Sequence, residues 1–278
     1  MAGLTVLEIA QWQGSASPTA HRLRRGAADL AASVPAGEHT RIDVSDQPGT
    51  AAHGVAALDV LSQNLRAVRA ARTTVGSRAT VAVGGDCGVE LAPVEAALAR
   101  YGTGLAVVWF DAHADLNTPA SSPSGAFHGM VLRTLLGEGP QDLLPVRILQ
   151  PQQVVLAGVR ALDPEERDFV DRNAVAHVEA EQLVDPSPLI AAVAATGARA
   201  VYVHIDLDVL DPQVFASVGT PEPGGLTPDQ LVAAVRAIAA RFAVAGLGIT
   251  EYEPNRPSDE DLVSGIVRAL VPLVPAGD

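Results

Sequence analysis

Leu105–Asn117 reads LAVVWFDAHADLN. An unbroken apolar run from Leu105 to Phe110, rich in β-branched and aromatic residues, predicts a strand covered on both faces, as in the parallel sheet of an α/β protein. The run passes directly into Asp111, His113 and Asp115. Ligands of open α/β sheets bind outside the carboxyl ends of the strands, so this boundary is where chemistry is expected.

The same grammar extends in both directions. LTVLEIA (4–10), ATVAVGG (79–85), QQVVLAGV (152–159), AVAHV (174–178), ARAVYVHIDLD (198–208) and AVAGLGITEYE (243–253) read as further strands. Segments 54–75, 89–101, 164–173, 188–197, 227–242 and 259–273 have helical spacing, and Thr227-Pro228-Asp229 and Ser258-Asp259-Glu260 look like helix starts. Alternating strands and helices predict an open α/β sheet with helices on both sides. No Pro/Gly/Ser-rich linker or repeat divides the chain, so residues 1–278 are expected to form one domain. The stretch Thr118–Gly125 reads as a functional loop following a strand.

Composition narrows the function. The net charge of −13 argues against nucleic acid or an anionic membrane as partner. No apolar run reaches the length of a membrane span and no signal-type segment opens the chain, so a cytoplasmic location is expected. The sequence has no lysine, which removes Schiff-base chemistry and a Walker-type loop. Cys87 is the only cysteine, which excludes an internal disulfide and a paired-cysteine zinc motif.

Four strand ends carry acidic or thiol groups: GGDCGVE with Cys87, the Asp111/His113/Asp115 segment, VHIDLDVLDP with Asp206 and Asp208, and GLGITEYEP with Glu251. Spacing of two places alternate side chains on one face if extended geometry persists. Carboxylates crowded into an apolar crevice repel one another and lose hydration unless a cation relieves them. A carboxylate-rich set with one imidazole suits Mn²⁺ or Mg²⁺, and its ligand count suits two ions roughly 3.5–4 Å apart.

GGDCGVE, DAHADLN, SGAFHGM, HIDLDVLDP and TEYEP, in this order over roughly Val81 to Pro254, resemble the ureohydrolase family of arginase, agmatinase and formimidoylglutamase. The resemblance implies a three-layer α/β/α arginase-like fold around an eight-stranded, mostly parallel sheet. It also implies two Mn²⁺ per subunit, hydrolysis of a guanidino C–N bond, and a homo-oligomer, trimeric or hexameric. By matched position, Asp111 and Asp206 resemble the bridging carboxylates, Asp115 a ligand of the first manganese, and His113 and Asp208 ligands of the second. His128 resembles the proton-shuttling histidine of a mobile loop, and Glu251 the carboxylate that receives the guanidinium. Asp115 is the expected proton donor to the leaving amine. Glu253 competes with Glu251 by alternation, but the match favours Glu251.

The position of Cys87 is a histidine ligand of the first manganese in most of the family. Cys87 is either a soft thiolate ligand or a buried thiol that has ceased to ligate. A thiolate would make a poorer arginase and would suit an N-hydroxyguanidine better. This resembles the branch that hydrolyses Nω-hydroxy-L-arginine to hydroxyurea and L-ornithine in D-cycloserine biosynthesis. Arginase or another guanidino-acid hydrolase is the close alternative, and an inactive partner subunit the distant one; Glu251 and the two-metal set argue against a deacetylase on a related fold. Asn117 and Ser124 match positions that receive an α-carboxylate in arginases, Asp163 one near the α-amino group, and Thr220 one near the guanidine. Asp163-Pro164 reads equally as a helix start. Ala126 stands where arginases often carry an amide. His204 shares the alternation of Asp206 but lies deeper in its strand, and reads as a hydrogen-bonded core residue.

Overall fold

The computed structural model describes residues 4–35, 37–76 and 78–275. Eight strands form one sheet in the order β2-β1-β3-β8-β7-β4-β5-β6. They are β1 (Thr5–Ile9), β2 (Glu38–Arg41), β3 (Thr80–Gly84), β4 (Leu105–Phe110), β5 (Val154–Ala157), β6 (Ala176–Val178), β7 (Ala200–Asp206) and β8 (Ala243–Thr250). Every pairing is parallel, so the expected "mostly parallel" sheet is parallel throughout.

The continuous apolar runs have a direct cause. Along β4, Ala106, Val108 and Phe110 join one core while Leu105, Val107 and Trp109 join the other. The first core is closed by α1 (Leu23–Ser33), α6 (Ser187–Ala195), α7 (Pro228–Ala239) and α8 (Pro257–Leu270). The second is closed by α2 (Leu58–Val75), α3 (Leu91–Tyr101), α4 (Val131–Leu135) and α5 (Pro164–Asn173). Each fully buried Val, Leu or Phe contributes roughly 1.5–3 kcal/mol relative to exposure. The result is the three-layer α/β/α arrangement.

All seven strands anticipated from sequence are present, and the expected helices lie within a few residues of their predicted ends. The start at Thr227 is a full capping box with Gln230, followed by Pro228. Three elements escaped the sequence reading. β2 (EHTR) is polar and largely exposed, as befits a charged edge strand. α1 has no side-chain N-cap and carries Gly26, where a Cβ would overlap the Tyr252 carbonyl oxygen. α4 is a five-residue helix. No helix among the described residues is long and apolar enough to cross a membrane.

Strand order positions the site. The four acidic or thiol-bearing segments follow β3, β8, β7 and β4, which are consecutive across the centre of the sheet. Phe110 pairs with Ile205 and Asp206 with Thr250, so the ends of β4, β7 and β8 are level. Strand spacing of about 4.8 Å then sets their polar ends side by side.

Candidate metal centre

The convergence does not arise from continued strand alternation, as the sequence suggested. β4 ends at Phe110, and the chain turns as the His113 amide donates to Asp111 Oδ1 at 2.6 Å. Asp115 then takes a left-handed conformation, φ 53°. Likewise β7 ends at Asp206, whose Oδ1 accepts the Asp208 amide at 2.7 Å. Asp208 Oδ1 accepts the Ala112 amide at 3.0 Å, tying the two loops together. These are side-chain-to-backbone turns of the kind Asp forms readily.

The remaining two loops are shaped by backbone. Gly84 and Gly85 have φ 120° and 39°, making the turn that admits Cys87. Asp86 is fully buried and anchors this turn by accepting from Gln11 Nε2, the Gly14 amide and the Gly88 amide. Glu251 also has positive φ, 59°, and its amide donates to the Gly85 carbonyl at 2.9 Å. Two non-glycine residues in this sparsely populated region, both carboxylates at the site, are a costly arrangement of the sort that clusters at functional centres.

The side chains meet. Cys87 Sγ is 3.2 Å from Asp206 Oδ2. His113 Nδ1 is 3.0 Å from Asp208 Oδ2 and 3.5 Å from Asp111 Oδ1. Three sets of ligating atoms lie within 4.8 Å of one another: Cys87/Asp111/Asp115/His204, Cys87/Asp206/Glu251 and Asp111/His113/Asp208. Asp111 and Cys87 each belong to two of them. Asp206 groups with Cys87 and not with His113.

The electrostatics are those of an anionic cage. Burial, then Asp208, raises Asp111; burial, then Asp111, pushes Asp115 well up; burial, then Asp208 and Asp111, does the same to Asp206. Burial also raises Cys87, with Asp206 adding to it. Asp208 departs from this pattern: burial opposes ionisation, but His113 outweighs it and pulls Asp208 down to about 2. Asp115 Oδ2 is buried with no hydrogen-bond partner among the described residues. Crowded oxygens, an orphan carboxylate oxygen and an imidazole fit hard divalent cations.

Glu251 Oε1 accepts the Cys87 amide and lies 3.2 Å from His128 Nδ1. The Ala16 amide donates to His128 Nε2, which places the ring proton on Nδ1, facing Glu251. Glu253 points elsewhere, accepting from Thr19 Oγ1. A cleft of about 210 Å³ opens over the cage, and Asn117, Ser124, Asp163 and Thr220 line it together with His113, Asp115, His128 and Asp206. Asn117 Nδ2 donates to Asp163 Oδ2 at 2.8 Å, and Ser124 Oγ accepts the Ala126 amide. Thr220 Oγ1 donates to Asp208 Oδ2 at 2.9 Å, so its hydroxyl proton is engaged with a site carboxylate. Asp163 is both a cleft residue and the N-cap of α5, in a capping box with Glu166.

Several contributors were not singled out from sequence. Trp109 Nε1 donates to Asp111 Oδ2 at 3.1 Å; its position two residues before Asp111 was the available signal. Glu166 accepts the Leu116 and Asp163 amides and steadies the loop, and the D-x-x-E spacing announced it. His204, read from the sequence as a hydrogen-bonded core residue, is buried, but its Nδ1 has no hydrogen-bond partner among the described residues and its Nε2 faces the cage.

The fold and this cage define a class. The arginase family model matches residues 13–271. The chain belongs to the arginase family. An arginase of Staphylococcus aureus is 32% identical over 188 residues, 64% of this chain and 61% of that protein, so the match spans under two thirds of the relative's length. An Entamoeba histolytica arginase crystallised with L-ornithine superposes with a TM-score of 0.86 at 22% identity, covering 96% of this chain and 97% of that one. The proclavaminate amidino hydrolase of Streptomyces clavuligerus superposes with a TM-score of 0.72 at 22% identity over 96% and 90% of the two chains.

Proposed function

We propose that this chain is a binuclear manganese amidinohydrolase that cleaves a guanidino C–N bond, with Nω-hydroxy-L-arginine as substrate and hydroxyurea and L-ornithine as products. The observation that carries the reading is the convergence of Cys87, Asp111, His113, Asp115, Asp206 and Asp208 at the ends of adjacent parallel strands. Those six residues would hold the ions. Bound there, a pair of divalent ions supplies Lewis acidity and an activated water near neutral pH.

The chain's own residues account for the rest. Glu251, buried at the edge of the cage, receives the guanidino group through charge-assisted bonds and fixes the aim of its carbon. Asp115 carries the proton that the leaving amine needs. His128, partly exposed and in contact with Glu251, exchanges protons between site and solvent. Asn117 and Ser124 take the α-carboxylate, and Asp163 the α-amino group. Thr220 keeps its oxygen lone pairs for the substrate while its O–H donates to Asp208.

Cys87 decides the substrate. A thiolate in place of an imidazole adds negative charge and softness to a hard anionic site, which weakens activation of water. An N-hydroxyguanidine, with its own metal-seeking oxygen, tolerates this better than a guanidinium does. The Staphylococcus aureus relative favours a second reading, arginase proper. Release of hydroxyurea from Nω-hydroxy-L-arginine and of urea from L-arginine, measured side by side with manganese-loaded protein, ranks them. Faster turnover of the hydroxylated substrate is expected; equal or faster turnover of L-arginine would remove the hydroxyarginine assignment.

A further inference from the structure

Below the cage lie two buried ionisable groups with no part in that scheme. His204, on β7, is fully buried and stacks on Trp109 with ring centroids 3.5 Å apart and planes 19° apart. Its Nε2 lies 3.8 Å from Cys87 Sγ and 4.0 Å from Asp111 Oδ2. Its Nδ1 faces Glu90, 3.5 Å from Oε2, and has no hydrogen-bond partner in that geometry. Glu90 is fully buried beside the Tyr202 hydroxyl, and among the described residues neither of its carboxylate oxygens nor that hydroxyl meets hydrogen-bond geometry. Room for that carboxylate exists because residue 248 on β8 is glycine; a Cβ there would overlap it.

Packing alone does not explain this pair. An aliphatic side chain would fill the space against Trp109 without burying a carboxylate and an imidazole, each left short of partners. A carboxylate facing one ring nitrogen while the other faces a ligand cluster is how metal-bound histidines are oriented. In such a pair the carboxylate accepts the Nδ1 proton and the Nε2 lone pair is left for an ion. Position 87, where the family resemblance leads one to expect an imidazole, holds a short thiol instead. The His204 ring lies directly beside its sulfur.

We propose that His204 is the imidazole ligand of the first metal position, bound through Nε2, and that Glu90 orients it by accepting the Nδ1 proton. The imidazole missing from the loop after β3 is thus supplied by β7. This rests on the binuclear reading above and adds a ligand to it.

The test uses the full chain with ¹⁵N-labelled histidine, loaded with ¹¹³Cd²⁺, a diamagnetic ion that accepts both thiolate and imidazole. One-bond ¹⁵N–¹¹³Cd splitting is expected on two histidines, His113 and His204, the latter signal being lost in His204→Gln. Cadmium binding with splitting on His113 alone overturns the proposal and leaves the metal centre standing. No cadmium binding overturns the metal centre and this ligand with it. Should His204→Gln not fold, Glu90→Gln serves: loss of an orienting carboxylate should weaken one of the two manganese sites about 10–100-fold and spare the other. Equal effects on both sites, or on neither, contradict the assignment.

Discussion

The sulfur of Cys87 lies 3.2 Å from Asp206 Oδ2, although the two residues follow strands that are not neighbours, with β8 between them. Burial and the Asp206 charge push the thiol well up, so in the cation-free protein it stays protonated and donates to the carboxylate. On the proposed reading, a cation held by Cys87 would displace that proton. Cobalt(II)-loaded protein should therefore show a near-ultraviolet sulfur-to-metal absorption that Cys87→Ser abolishes. The same substitution should shift preference from Zn²⁺ toward Mn²⁺ by about tenfold in competition titrations, because a soft ligand becomes a hard one. An unchanged absorption or preference would show that the thiol does not ligate.

Stability should depend on pH in opposite ways with and without metal. Asp111, Asp115 and Asp206 have folded-state values raised above the ordinary carboxylate range. Above that range the folded, metal-free chain binds more protons than the unfolded chain, so its stability falls as pH rises through the folded values, by about 1.4 kcal/mol per pH unit per proton of difference. Asp208, pulled down to about 2, acts with the opposite sign and only below the ordinary range. On the proposed reading, a bound divalent cation would take the place of those protons. Thermal melts should show Mn²⁺ raising Tm more at pH 8 than at pH 5, relative to a chelator-treated control; equal increments would contradict the cage.

Trp109 Nε1 donates to Asp111 Oδ2 and holds that carboxylate in place. Trp109→Phe keeps the ring stacked on His204 and removes the donor. Loss of such an outer partner should cost roughly 10–100-fold in manganese affinity, read by isothermal titration on folded protein, beside the drop in Tm that a smaller ring in the core brings.

Asp163 caps α5 and lines the cleft. Asn is as good an N-cap as Asp, so Asp163→Asn should fold normally while losing a charge-assisted contact of about 1.5–3 kcal/mol. KM for an arginine-type substrate should rise roughly 10–150-fold. KM for a guanidino acid lacking the α-amino group should stay put. A parallel rise for both would place Asp163 outside amino-group recognition.

Much of this was legible in the sequence because burial on both faces writes itself as apolar runs, and strand ends then stand out by contrast. Asp111, Asp115, Asp206 and Asp208 were visible for that reason. The local geometry was not: their convergence depends on Asp-capped turns and a left-handed Asp115, which no alternation rule produces. β2 was hidden because an edge strand is selected for charge rather than apolarity. Glu90 was hidden, and His204 was read only as a core residue, for a different reason. They lie 114 residues apart, and His204 lies 117 from Cys87, and only the close approach of β3, β7 and β8 gives them meaning.

The central claim is that Asp111 and Asp206 stand beside a pair of ions. Crystals grown with Mn²⁺, measured at the manganese absorption edge, test it most directly. The account predicts two anomalous peaks roughly 3.5–4 Å apart, one against Cys87 and Asp115 and the other against His113 and Asp208. A single peak, or none among these side chains, would contradict it.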